Sequence, residues 1–227
     1  MNKQYKTENA KNVINLQKLI ESISLYTNYN PPLENLTIKN LNLLYTKAQN
    51  VLKEVEEKRS ANKNAISIRQ EKHNILKKTS TRIINQLEIL ELTEDVLAEA
   101  KHLNRLIQGE TKKTILSSHR SYTQLADNFA KLIHLLTSIS TYNPNLTELK
   151  LETLKDLHIS LVESTKKVNQ TETAFSTKLI ERNAVLYKNG TSLYSTAQNV
   201  KKYVKNIYGA TSPEYQNITK IRFIANL

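Results

Sequence analysis

The feature that most constrains this chain is its shortage of turn residues. It has 3 Gly and 4 Pro in 227 residues, where average usage is about 7% and about 5%. Neither occurs between Leu33 and Gln108, nor between Asn145 and Asn189. An all-β fold needs a turn roughly every 8–12 residues, and a dinucleotide-binding loop needs clustered glycines. The chain can supply neither. Its breakers are confined to Asn30-Pro31-Pro32, Gly109, Asn143-Pro144, Asn189-Gly190, Gly209 and Ser212-Pro213.

Between the breakers the apolar residues recur with a helical period. Ile14, Leu16, Leu19, Ile20 and Ile23 read as one face, and Leu41, Leu44, Ala48, Val51 and Val55 follow the spacing of a coiled-coil seam. Similar runs start at Leu76, Val96, Leu125, Leu149 and Leu193. Residues 56–74 are polar around most of the helix. They are either an exposed part of one long helix or the place where it turns.

A second copy of the pattern lies 113 residues on. Lys18-Leu19-Ile20 falls on Lys131-Leu132-Ile133, Tyr29-Asn30-Pro31 on Tyr142-Asn143-Pro144, and Leu33, Leu36, Leu41 and Leu44 on Leu146, Leu149, Leu154 and Leu157. That makes 10 identities in the 27 positions from 18 to 44. Leucine matches are cheap in a chain with 31 Leu, but Tyr-Asn-Pro in frame with Lys-Leu-Ile is not. Val55, Ala61 and Arg69 also match Val168, Ala174 and Arg182. The spacing predicts a unit of one helix, a Tyr-Asn-Pro turn and a longer helical stretch ending at Gly109 or Gly209, each a C-terminal glycine cap. Asn145 and Glu148 have the spacing of a capping box for the second long helix. Ser212-Pro213-Glu214 has the residues of a helix start, after which Ile218, Ile221, Phe223 and Ile224 offer an apolar face for docking.

The expected fold is therefore all-α: an elongated antiparallel helical bundle built from two tandem related copies. Residues 1–110 are the first copy. Residues 111–227 are the second, with a C-terminal docking tail, and the two pack as one body. Ser121-Tyr122, Phe129, Leu132, Tyr142-Asn143-Pro144, Val185-Leu186-Tyr187, Gly209 and Ser212-Pro213-Glu214-Tyr215 resemble a family of all-helical bacterial proteins with Tyr-Asn-Pro turns, for which no activity is established. The resemblance is clearest over 119–224. It implies a helical, cytoplasmic protein and carries over no functional residue.

Chemistry is sparse. With no cysteine, thiolate catalysis, cysteine-bound zinc and disulfides are excluded. The histidines are His73, His102, His119, His134 and His158. Glu99 and His102 form one Glu-x-x-His, whereas a bundle di-iron site needs two plus two further Glu. His134 reads as a core-edge histidine. Glu54, Glu56 and Glu57 read as a wet helix face, and Glu91, Glu94 and Asp95 as a helix end or surface. We expect no catalytic, cofactor-binding or metal residue, no cofactor, and no enzyme.

The net charge is +12, but Lys outnumbers Arg 26 to 7 and Asn reaches 25, a balance that AT-rich coding would produce without selection. Tyr187, Tyr194, Tyr203, Tyr208 and Tyr215 lie among Lys188, Lys201, Lys202 and Lys205. Such a mixture can stack and neutralise single-stranded nucleic acid, or simply pack helices. No run is apolar enough for a signal peptide or a membrane span, so the expected location is cytoplasmic. The leading expectation is a non-catalytic structural or protein-interaction helical module, binding itself or another protein through helical faces. The alternative is a basic protein making weak, sequence-nonspecific phosphate contacts with nucleic acid.

Overall fold

A computed structural model describes residues 3–109 and 122–225, with side chains of the first helix from residue 8 on. His119, Ser121 and the boundary at 110/111 lie outside the described residues. Among the described residues there are seven α-helices, two short 3-10 turns and no strand. The helices are α1 (Lys3–Ser24), α2 (Ile38–Glu88), α3 (Glu94–Gln108), α4 (Tyr122–Ser138), α5 (Leu151–Tyr187), α6 (Leu193–Tyr208) and α7 (Pro213–Thr219). None is long and apolar enough to cross a membrane.

The polar stretch 56–74 lies inside one unbroken helix. α2 has 51 residues, roughly 77 Å at 1.5 Å per residue. Nothing in it breaks the ladder, because it contains neither Gly nor Pro. The chain does break after Tyr187. Gly190 takes a φ of 95°, which L-residues disfavour, and Ser192 then caps α6 by accepting the Ser195 N–H at 3.2 Å.

Two compact units form, residues 1–60 with 173–227, and residues 61–172. They are not the two sequence copies, because the boundaries fall inside α2 and α5. The first unit takes α1, the start of α2, the end of α5, α6 and α7. Its core includes Leu16, Leu19, Ile23, Leu41, Ala48, Leu186, Leu193, Val200 and Ile218. The second takes the rest of α2, α3, α4 and the start of α5, around Leu76, Ile83, Leu87, Ile107, Phe129, Leu132, Leu136 and Leu154. Each unit thus joins helices from both the first and the second half of the sequence.

The partners of α2 on α5 fall in number as α2 advances. In the first unit Glu54 binds Lys178 at 2.9 Å and the Arg59 guanidinium lies over Phe175. In the second, Thr171 Oγ1 donates to Asn62 Oδ1 and Lys72 Nζ to the Ser160 carbonyl, and Arg82 meets Glu148, just ahead of α5, at 2.7 Å.

The two Tyr-Asn-Pro turns have the same local geometry. Tyr29 donates its phenolic hydrogen to the Leu36 carbonyl at 2.7 Å, and Tyr142 to that of Leu149 at 2.8 Å. Each acceptor ends a 3-10 turn, Glu34–Leu36 or Thr147–Leu149. The backbone bonds Leu36 N–H to Leu33 O and Leu149 N–H to Leu146 O are both 3.0 Å. Proline removes a donor and prevents α1 or α4 from continuing. The phenol then satisfies a carbonyl at the turn that no helix can reach.

Two sequence expectations are corrected. Ile14 is 52% exposed, and the buried face of α1 is Val13, Leu16, Leu19, Ile20 and Ile23. A shift of one residue turns a helical side chain by about 100°, so Ile14 leaves the stripe that Val13 joins. The Asn145–Glu148 capping box does not form. Glu148 lies within the 3-10 turn, where its carboxylate binds Arg82, and α5 begins only at Leu151.

Candidate functional site

The least expected arrangement is a buried polar stripe on α1. Asn9, Asn12 and Asn15 are 4%, 0% and 8% exposed. They recur at i, i+3 and i+6, so they share one side of the helix next to the apolar face. A buried amide left without partners would cost about 1–3 kcal/mol, and each of the three has one. The Tyr187 hydroxyl donates to Asn9 Oδ1 and accepts from Asn12 Nδ2 at 3.3 Å. Burial pushes the Tyr187 pKa above the ordinary phenol value, partly offset by the bond from Asn12.

The remaining capacity of the stripe goes to the main chain beyond α7. Asn12 Oδ1 accepts the Ile224 N–H at 2.9 Å while Asn12 Nδ2 donates to the Ile224 carbonyl, also at 2.9 Å. Asn15 Nδ2 donates to the Arg222 carbonyl at 2.7 Å. A residue presents its N–H and C=O to the same side only when extended, as in the hydrogen-bonded pair of an antiparallel ladder. The carbonyls of 222 and 224 therefore face α1 as alternate residues of a strand do. The segment runs against the direction of α1, since the later residue meets the earlier asparagine.

α6 and α7 complete the groove. Ser212 accepts the Tyr215 N–H at 3.1 Å and Pro213 occupies the first turn of α7, as the sequence indicated. Ile218 is fully buried, and the Tyr26 hydroxyl donates to the Glu214 carbonyl at 3.0 Å. Lys201 donates to the Ile221 carbonyl and lies 5.4 Å from the Phe223 ring centroid. Burial holds the Lys201 pKa below the usual lysine value. Ile221 and Phe223 pack on the core while Arg222 is exposed.

The Lys/Tyr mixture is largely engaged within the first unit. Tyr203 stacks edge-on against Tyr29 and donates to the Asn30 carbonyl. Tyr208 stacks against Tyr26 and accepts the Asn28 N–H. Lys205 lies over the Tyr215 ring, while Lys188 and Lys202 are exposed.

The four described histidines form no common cluster. His73 is buried, with Nδ1 2.9 Å from the Arg69 carbonyl oxygen and Nε2 3.3 Å from that of Tyr122. Its ring meets Tyr122 edge-on, and the Arg69 guanidinium lies 4.1 Å from the same Tyr122 ring centroid. Glu99 and His134 line one cleft of about 590 Å³ between α3 and α4, together with Lys131 and Ser138. His102 and His158 lie elsewhere on the helices. Among the described residues no three His, Asp or Glu converge as a metal site would require.

Within the first unit a second groove, of about 660 Å³, runs between α2 and α5. Leu43, Thr46, Lys47, Asn50, Val51 and Glu54 line one wall, and Lys178, Glu181, Ala184 and Val185 the other. Lys178 bridges Glu54 and Glu181 at one end. No protein-family model matches the chain, and neither does any curated protein or solved structure.

Proposed function

We propose that this chain is a non-catalytic protein-interaction module of the cytoplasm, an internal duplication whose two copies run their long helices antiparallel. The matched Tyr29 and Tyr142 turns support the duplication, and the falling partner numbers along α2 support the antiparallel course. The observation that carries the functional reading is the α2–α5 groove. Its wall residues 43, 46, 47, 50, 51 and 54 recur every three or four positions, the row that an amphipathic partner helix fills. Leu43 is 61% exposed at this groove, and charges at the Lys178 end would orient a partner more than hold it.

A photoreactive side chain at position 43 of the full chain, expressed in its own cells, should give a discrete protein adduct that Ala184→Glu removes. No adduct, or one unaffected by Ala184→Glu, overturns the reading.

The +12 charge favours a second reading, nucleic-acid binding. Against it stand the engagement of Tyr203, Tyr208 and Lys201 within the fold and the scarcity of Arg. Labelled DNA and RNA titrated at about 150 mM salt should bind only weakly, because counterion release favours phosphate contacts at low salt. Micromolar binding lost in the Lys188→Glu/Lys202→Glu variant would establish this reading instead.

A further inference from the structure

We infer that α1 and α6 form a recognition groove for an extended peptide, and that residues 220–225 are its built-in ligand, replaced by a partner-protein segment of the same apolar-x-apolar chemistry. The inference deepens the interaction reading at a different surface from the α2–α5 groove.

Its basis is the way the segment is held. Three hydrogen bonds from Asn12 and Asn15 read main-chain atoms of Arg222 and Ile224, and Lys201 reads the Ile221 carbonyl. None of these contacts depends on the identity of the residue held. This is the logic of strand addition, in which main-chain bonds give affinity and alternate pockets give specificity. The alternate pockets here hold Ile221 and Phe223, the latter under the Lys201 cation, and the exposed Arg222 between them leaves that position open to any side chain.

Asn12 is also a choice particular to this unit, although Asn15 has Asn128 as its counterpart 113 residues on. At 113 residues on, Asn12 is replaced by Leu125, which packs in the other core without an amide. The helix thus tolerates an apolar residue at this register, and Asn12 is not needed to make it. What Asn12 adds is capture of an extended backbone. A tethered ligand competes at an effective concentration in the millimolar range for short linkers, so a partner segment binds weakly until the tail is loosened.

The test uses the full chain with the tail weakened by Ile224→Pro, which deletes the N–H that Asn12 accepts. Phe223→Asp serves the same purpose if the proline variant does not fold, judged by far-UV circular dichroism. The probe is a fluorescein-labelled synthetic peptide of residues 212–227, followed by anisotropy. The loosened variant should bind it at least about tenfold more tightly than the wild-type chain, the shift expected from removing a tethered competitor. Adding Asn12→Leu to that variant should abolish binding while helicity is retained. Equal affinity in the two chains, no binding by the loosened variant, or binding indifferent to Asn12→Leu overturns the inference. A concentration-dependent wild-type dimer that Ile224→Pro dissolves overturns its partner clause, since the occupant is then a second copy. The photoadduct at position 43 tests the α2–α5 surface independently, so failure of one reading is distinguishable from failure of the other.

Discussion

Tyr29 and Tyr142 make the same bond, each phenol donating to the carbonyl seven residues ahead, but Tyr142 is only 7% exposed while Tyr29 is half-buried. The shared bond and unequal burial predict unequal costs. Tyr142→Phe keeps the ring and leaves the Leu149 carbonyl without its donor in a dry place, so it should cost about 1–3 kcal/mol. Tyr29→Phe should cost less, because water can reach the Leu36 carbonyl. Tyr142→Ala adds a cavity and should cost about 3–5 kcal/mol. Urea unfolding of the three variants checks the order, and an equal loss from both Tyr→Phe changes would contradict it.

The same burial predicts loss of stability in alkali. Burial pushes the Tyr142 pKa up to about 12, and raises those of Tyr29 and Tyr187 as well. An unfolded tyrosine ionises near 10. Between about pH 10 and about 12 the unfolded chain therefore releases protons that the folded chain keeps, and stability falls as pH rises through this window. Lys201 opposes the trend, because its depressed folded pKa favours the fold as it deprotonates. Three phenols, joined by Lys178, whose pKa the bonds to Glu181 and Glu54 raise to about 12, leave a net decline against Lys201. Denaturant titrations from pH 9 to about 12 should show a shallower fall for Tyr142→Phe than for the native chain.

His73 predicts the opposite slope in acid. Burial lowers its pKa below 6.5, and the nearby Arg69 and Lys77 charges add to this, while the Arg69 and Tyr122 carbonyls partly offset it. The unfolded imidazole then takes up a proton before the folded one. Stability contributed by His73 is present above about pH 6.5 and is lost as pH falls through its folded pKa. His73→Gln should flatten the stability profile between about pH 7 and about 5, below which carboxylates dominate. An unchanged slope would show that His73 ionises alike in both states.

The helical class, the turns at Asn30-Pro31 and Asn143-Pro144 and the Ser212 cap were legible, because each follows from local preference. The break after Tyr187 was marked only by Asn189-Gly190 within a stretch read through to Gly209, and the break between Glu88 and Glu94, which holds neither Gly nor Pro, was not legible. Proline and glycine act on their own backbone, and the leucine period needs no knowledge of neighbours. What was not legible depended on who packs against whom. The compact units join segments from both halves of the sequence, because an apolar stripe specifies burial without naming its partner. Asn9, Asn12 and Asn15 were absorbed into a composition argument about 25 asparagines, although their i, i+3, i+6 spacing beside Val13 and Leu16 was visible. That spacing marks a helix side, and asparagine on the edge of a core implies something polar to meet it. Only the fold reveals that the something is main chain from residues 222 and 224.

The cap on α7 offers a local test of how the terminal segment is held. Ser212 accepts the Tyr215 N–H and donates to the Gly209 carbonyl at 3.0 Å, so it ties the end of α6 to the start of α7. Ser212→Ala removes both bonds, at about 1 kcal/mol for a lost N-cap. α7 has only 7 residues, too short to persist on propensity alone. Its order rests on the cap, on buried Ile218 and on the Tyr26 bond to Glu214. The substitution should therefore raise amide exchange in α7 and at Ile224, whose N–H is held by Asn12, while α2 and α4 keep their protection. Hydrogen exchange read by NMR resolves the two sets. If Ile224 stays protected while α7 opens, the asparagine stripe holds the segment without help from α7. If α2 and α4 lose protection equally, the terminal segment is part of the global cooperative unit and is not separately displaceable.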